Sequence, residues 1–349
     1  METLADITET YTNPLTEESE IRLEYNTLPG SRQTVLDAKK KLDDRVLQKR
    51  AELGLLSTRT INLPTDKADA LRQALKTDPE WLEGFKEIVN TLAPELHSED
   101  IREMLTAIHL PWWNSTLIFR EGETAYDASA PALTMAADFS HSYITQLLRS
   151  QRYTGVKGSP ISISNVLLTA DNLIILGLRG GHSFTNTIMT VPAGSIEYHS
   201  GENPFFETLY AEFFEETGLT RDDIRSAELI GETFPYIGKQ PHYIFRSRTH
   251  RSFRELLEVW KGSADQREHK HLIALLDDPN YVLDMIKNNS YEPSKADPSN
   301  PARTTQENVG RILPQCASSI LVHYIQREGK GWGAKAEELL DRRYRIRQE

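Results

Sequence analysis

Between Ser31 and Leu53 the apolar positions Val35, Leu36, Leu42, Val46 and Leu47 fall among charges, the pattern of a solvent-exposed helix with one sticky face. Pro64-Thr65-Asp66, Pro79-Glu80-Trp81 and Ser98-Glu99-Asp100 each place helix-starting residues before an apolar-periodic run, so three further helices are predicted there. Residues 1 to about 20 are Thr/Glu-rich and are expected to be frayed. The pattern changes after Pro111-Trp112-Trp113: a strand is expected over Ser115 to Arg120 and a helix over Ser140 to Ser150. From Gly155 to Arg179 the periodicity becomes that of strands. Ile161 to Leu168 and Leu173 to Leu176 are separated by the turn-forming Thr169-Ala170-Asp171-Asn172. Thr187 to Val191, Ala227 to Phe234 and His242 to Arg248 read as further strands, and Lys270 to Leu276 as a strand or the start of a helix. Helices are expected at Asp278 to Lys287, Glu307 to Gln326 and Ala334 to Arg347, and Phe253 to Trp260 forms a further segment with no type assigned.

The resulting organisation is a mostly helical region over 1–150, a mixed sheet with helices over 151–287, an Asn/Pro/Ser-rich linker over 288–306 and a helical extension over 307–349. The helical N-terminal region shows no chemistry and is expected to serve packing or homodimer formation.

Composition narrows the setting. The 349 residues are 38% hydrophobic and 26% charged, ordinary for a globular chain, and the net charge of −11 argues against a nucleic-acid or anionic-membrane partner. The single cysteine, Cys316, excludes an intramolecular disulfide and a multi-Cys zinc site. The acidic N-terminal stretch has no secretory pattern, and no apolar run approaches the roughly 20 residues of a membrane helix. A cytoplasmic location is the expectation.

Candidate chemistry concentrates after Pro192. Glu212, Glu215 and Glu216 fall within about 100° of one helix circumference, beside an apolar stripe of Phe206, Leu209, Tyr210 and Phe213. Pro204 suits the first turn of that helix and Gly218 its C-terminal stop. Carboxylates so close repel one another, and a hard divalent cation with oxygen ligands removes that penalty. A solvated acidic helix face has the same composition, so the flanking residues decide between the two readings.

Those flanks carry a resemblance. A strand, a Gly180-Gly181 loop, a second strand, Pro192-Ala193-Gly194 with Glu197, and then Glu212-Phe213-x-Glu215-Glu216-x-Gly218-Leu219 resemble the Nudix superfamily of nucleotide pyrophosphohydrolases. The family motif is Gly-x5-Glu-x7-Arg-Glu-U-x-Glu-Glu-x-Gly-U, with U a bulky aliphatic residue. Here seven residues lie between Gly194 and Glu202 and eight between Glu202 and Ala211, and Ala211 occupies the Arg position. In the family that Arg orients the metal-binding carboxylates, so either Glu212 is held otherwise, by Arg179 or a backbone group, or activity is weakened.

The resemblance implies an α+β fold, a mixed sheet sandwiched by helices, and Mg²⁺- or Mn²⁺-dependent hydrolysis of a nucleoside diphosphate linked to another moiety. It implies Glu212 and Glu216 as metal ligands, Glu215 as ligand or water-holding group, and the Gly194 carbonyl as a further ligand. Arg179 would hold substrate phosphate. Glu268, in the charged run Arg267 to His271, would act as general base. Trp112 and Trp113, or Phe234, Tyr236 and Tyr243, offer aromatic surface for a base, and equally suit a core. The competing reading is a catalytically silent domain that senses a nucleotide or scaffolds a partner. Ala211 favours the silent domain; retention of three carboxylates favours the hydrolase.

Overall fold

The computed structural model describes residues 3–25, 29–55, 65–92, 116–141, 159–180, 186–198, 203–236, 240–263, 268–289 and 311–346. The first half forms β1 (Ala5–Leu15), β2 (Glu20–Tyr25), α1 (Pro29–Glu52), α2 (Thr65–Lys76), α3 (Pro79–Leu92), β3 (Thr116–Asp127), β4 (Ala132–His141), β5 (Ser159–Pro160) and β6 (Ser162–Leu168). Then come β7 (Leu173–Arg179), β8 (Thr187–Thr190), β9 (Ala193–Ser195), α4 (Pro204–Glu212), β10 (Ile224–Pro235), β11 (His242–Thr249) and α5 (Phe253–Trp260). The chain closes with β12 (His269–Leu276), α6 (Pro279–Asn288), β13 (Arg311–Ile312), α7 (Pro314–Glu328), α8 (Lys330–Leu339) and β14 (Tyr344–Ile346). The fold is mixed α+β. Among the described residues no helix is long and apolar enough to cross a membrane.

The chain divides into two compact units, one of Met1–Arg22, Thr124–Thr134 and Ile161–Glu349, the other of Leu23–Glu123 and Met135–Pro160. In the second unit, α1 presents Val35, Ala38, Leu42 and Val46 at three- and four-residue spacing to Leu71 and Leu75 of α2 and to Trp81, Phe85, Ile88 and Val89 of α3. Buried Asp78 caps α3 by accepting from the Trp81 N–H at 2.9 Å, and it also pairs with Arg45 of α1. A four-stranded sheet has the order β2-β4-β3-β5. The helix expected from Ser98, the Trp112-Trp113 pair and most of the helix expected over Ser140 to Ser150 lie outside the described residues; β4 runs on to His141.

The first unit is built on a ten-stranded mixed sheet ordered β13-β8-β7-β6-β11-β10-β1-β14, with β12 on β7 and β9 on β6. Its N-terminal strand corrects the expectation of fraying. β1 buries Ala5, Ile7, Tyr11 and Leu15, pairs antiparallel with β10 and lies parallel to β14. The intervening Thr and Glu residues form the more polar side of a strand, and β-branched Thr suits that role. The helix expected to continue to Arg347 stops at Leu339. Asp341 and Arg342 take left-handed φ values of 54° and 55°, and the chain then enters β14.

The centre of the sheet is a fork. β12 pairs along all of β7, and β11 along all of β6, so each of those strands has one edge left. β6 and β7 pair with each other only at Leu167–Leu168 against Ile174–Ile175. Beyond that they part; β8 takes the edge of β7, and β9 the edge of β6.

Helices cover both faces. On one, Phe205 and Phe206 of α4 meet Tyr243 and Phe245 edge-on at 5.0 Å. On the other lies α7, buried from Pro314 to Ile325, with Cys316, Ala317, Ile320 and Leu321 in a core shared with β6, β7, β12 and α6. Two buried hydroxyls of α7 are paired. Ser319 donates to Ser164 at 2.9 Å and Ser318 to Thr233 at 3.3 Å.

Candidate active site

Helix α4 starts where sequence chemistry places it. Asn203 accepts from the Phe206 N–H at 3.4 Å, and Pro204 occupies the first turn. Its buried side is Phe205, Phe206 and Leu209. A regular helix through Glu216 was the expectation. Instead Phe213–Thr217 forms a single π turn, which closes its hydrogen bonds one residue later and resets which side chains face inward. Phe213, Glu216 and Thr217 are buried, while Phe214 and Glu215 are exposed. Gly218, at φ 75°, ends the turn as a left-handed cap.

This turn lies over the fork. Glu212 rests on the backbone of Gly194 in β9 so closely that a Cβ at that position would sit 1.8 Å from its Oε1. Burial holds the Glu212 carboxyl well above the usual range, and the charges of Glu216, Glu215, Glu268 and Glu197 add to the shift. Glu216 is 2% exposed. Its Oε1 accepts from the Ala193 N–H at 3.5 Å, and its Oε2 lies 3.1 Å from Nε2 of His269 at the start of β12.

His269 is also buried, and burial is the main cause that brings its ring down to about 4; Arg179 adds to that shift and Glu268 opposes it. Among the described residues its Nδ1 has no hydrogen-bond partner. Beside it, Glu268 forms an ion pair with Arg179 at 2.5 Å. Arg179 also reaches the Met189 sulfur at 3.3 Å.

The structure therefore brings Gly194, Glu212, Glu216, Glu268 and Arg179 around one point, with Glu215 on the outer side of the same turn. Arg179, expected as a holder of Glu212, is engaged by Glu268. Glu202, Gly181 to Ser183, and Arg267 lie outside the described residues. Tyr243 is fully buried core, whereas Tyr236 is 38% exposed and donates to Asp6.

One residue of the cluster was not among the expected site residues: His269. A bulge between His269 and His271 sets His269 opposite Arg179 and His271 opposite Leu178, so the two imidazoles face opposite sides of the sheet. The sequence did carry a signal for it. Gly177 interrupts the apolar run of β7, and a glycine inside a strand marks a close approach; a Cβ there would lie 2.3 Å from the His269 Nδ1.

A divalent cation fits this donor set. Among the described residues, Glu216, Glu268 and His269 bring polar atoms within 4.8 Å of one another, and Glu212 lies among carboxylates whose repulsion a cation held by their oxygens would relieve.

No protein-family model and no curated protein matches the chain. Among solved structures it is similar to DR0079 from Deinococcus radiodurans, with 14% identity over 49% of this chain and 87% of that one, at a TM-score of 0.29. It is similar also to the Nudix domain of Shewanella oneidensis NrtR, solved with ADP ribose, with 16% identity over 31% and 72% of the two chains and a TM-score of 0.24. A third is the Nudix hydrolase RenU from M. smegmatis, with 12% identity over 49% and 86% and a TM-score of 0.28. At such scores the functional reading has to come from the site's own geometry.

Proposed function

We propose that this chain is a Nudix-type hydrolase, dependent on Mg²⁺ or Mn²⁺, that cleaves a nucleoside diphosphate linked to another moiety. The observation that carries the reading is the seating of Glu212 on the bare backbone of Gly194, with buried Glu216 one π turn away against the adjoining Ala193 N–H. Carboxylates forced together against their mutual repulsion are costly to a fold unless a cation joins them.

Glu212, Glu216 and the Gly194 carbonyl would hold the ion, and Glu215, facing outward, would hold the attacking water or complete the ligand set. The ion supplies positive charge to the diphosphate oxygens and lowers the pKa of water. Glu268 would take the proton from that water at hydrogen-bond reach. For that its carboxylate has to leave Arg179, and a substrate phosphate arriving at the guanidinium is the natural displacing group. Substrate binding would thereby free the base.

Besides Ala211, a second observation favours the silent-domain reading: Glu268 is engaged by Arg179 as the protein stands. A screen of nucleoside diphosphate compounds, beginning with ADP-ribose, in Mg²⁺ and in Mn²⁺ separates the two. Turnover by the wild type that falls at least about 100-fold in Glu216→Gln supports the hydrolase. Saturable binding with no turnover in either protein supports the sensor, and neither turnover nor binding sinks both.

A further inference from the structure

We propose that His269 is the positioning residue that fixes the Glu216 carboxylate for metal binding, by donating its Nε2–H to Oε2. This rests on the metal-dependent reading above and adds to it a residue that composes the site without joining the ligand set.

A carboxylate buried to 2% exposure must be met by donors, or it loses the solvation that makes it an anion. The Ala193 N–H reaches Oε1 only at 3.5 Å, a long contact, whereas His269 Nε2 meets Oε2 at 3.1 Å. The nearby guanidinium of Arg179 pairs with Glu268 at 2.5 Å. Ala211, exposed on the preceding turn, has no side-chain donor to offer.

Two separate features of the sheet exist to admit the ring. The bulge between His269 and His271 turns His269 to the face that Glu216 occupies. On β7, Gly177 leaves the space the imidazole fills, since a Cβ would lie 2.3 Å from Nδ1 and 2.6 Å from Cε1. With Nδ1 against that backbone and unpartnered among the described residues, the ring's polar bond there is the one to Glu216. An Nε2 that donates to the carboxylate has no lone pair for an ion. The remaining lone pairs of Glu216 stay available for ligation, in an orientation the ring holds constant.

The test is Mn²⁺ binding to the full chain, followed by electron paramagnetic resonance and calorimetry. His269→Phe keeps a flat ring without a donor and is expected to weaken Mn²⁺ binding about 10- to 100-fold. His269→Gln retains an N–H donor and is expected to recover most of that loss. Electron spin-echo spectra of the Mn²⁺-loaded wild type are expected to show no directly bound imidazole nitrogen.

Wild-type affinity in folded His269→Phe would overturn the inference and leave the metal reading standing, and so would a bound-nitrogen signal from His269. Absence of Mn²⁺ binding by the wild type would overturn both. Ring-nitrogen NMR of the unaltered, metal-free protein does not depend on any variant folding. Protonation of His269 on Nε2 supports the proposal, and protonation on Nδ1 alone overturns it.

Discussion

At the scale of single residues, the site is governed by two absent side chains as much as by those present. Gly194 lets Glu212 lie on the backbone, and Gly177 does the same for His269. Gly194→Ala makes the first dependence measurable. A methyl 1.8 Å from the Glu212 Oε1 forces that carboxylate aside while β9 keeps its pairing to β6. Displacements of about 1 Å at reacting groups cost on the order of 100-fold in rate. Turnover is expected to fall by about that much and Mn²⁺ affinity with it, with the circular dichroism spectrum unchanged; unaltered kinetics would show that Glu212 is not a ligand. That Glu212 and Glu216 lie near one another was legible from their spacing along one helix, and the place of Gly194 beside them from the motif that Pro192-Ala193-Gly194 resembles. His269 was not, because its role depends on a bulge in β12 and a gap in β7. Both are products of pairing between distant segments, which a local pattern does not record.

At the scale of elements, the helix carrying the carboxylates was legible as a helix but not as a π turn. Asn203, Pro204 and Gly218 mark its ends by local chemistry, whereas the widened turn follows from docking Phe213 and Glu216 together on the sheet. Gly218 is where that docking is most exposed to mutation. At φ 75° a side chain is strained, and a Cβ would press on the Val259 carbonyl at 3.0 Å. Gly218→Ala is expected to lower stability by about 1–2 kcal/mol, the cost of a left-handed residue with a Cβ, in urea unfolding at neutral pH. An unchanged midpoint would mean that the turn can re-form without its cap. The buried state of α7 was hidden for a different reason. Gln315, Ser318, Ser319 and His323 give it a surface-like composition, yet its two serines are satisfied inside by the Gln315 carbonyl, Ser164 and Thr233.

At the scale of the whole molecule, the first unit is closed by its own ends, since Ala5 to Ile7 pair with Tyr344 to Ile346. Neither end reads as a strand from its own residues, because each is short or polar and gains its structure from the other and from β10. That sheet also contains a group that sets how the protein responds to acid. His242, at the start of β11, is 7% exposed, and burial alone brings its ring from an ordinary 6.5 to about 4. In the unfolded chain the ring takes its proton near pH 6.5, whereas the folded protein refuses it until about pH 4. The stabilising contribution is therefore full above the higher value and is lost as pH falls through the window between them. A shift of that size corresponds to about 3 kcal/mol across the window. Buried His269 and His323 are lowered as well and act in the same direction. Burial works against the Asp277 carboxylate, yet the adjacent His323 and the hydrogen bonds that Arg327 donates hold it far below the usual range, so it keeps its contribution until the medium is more acidic still. Glu212, shifted upward, has the opposite sign and favours the folded state in acid. The difference between two proteins isolates His242 from these neighbours. Urea unfolding at pH 7, 5.5 and 4.5 is expected to show the wild type losing more stability than His242→Gln, with the gap widening by up to about 3 kcal/mol as pH falls. Parallel losses in the two proteins would place the acid sensitivity in the other buried histidines.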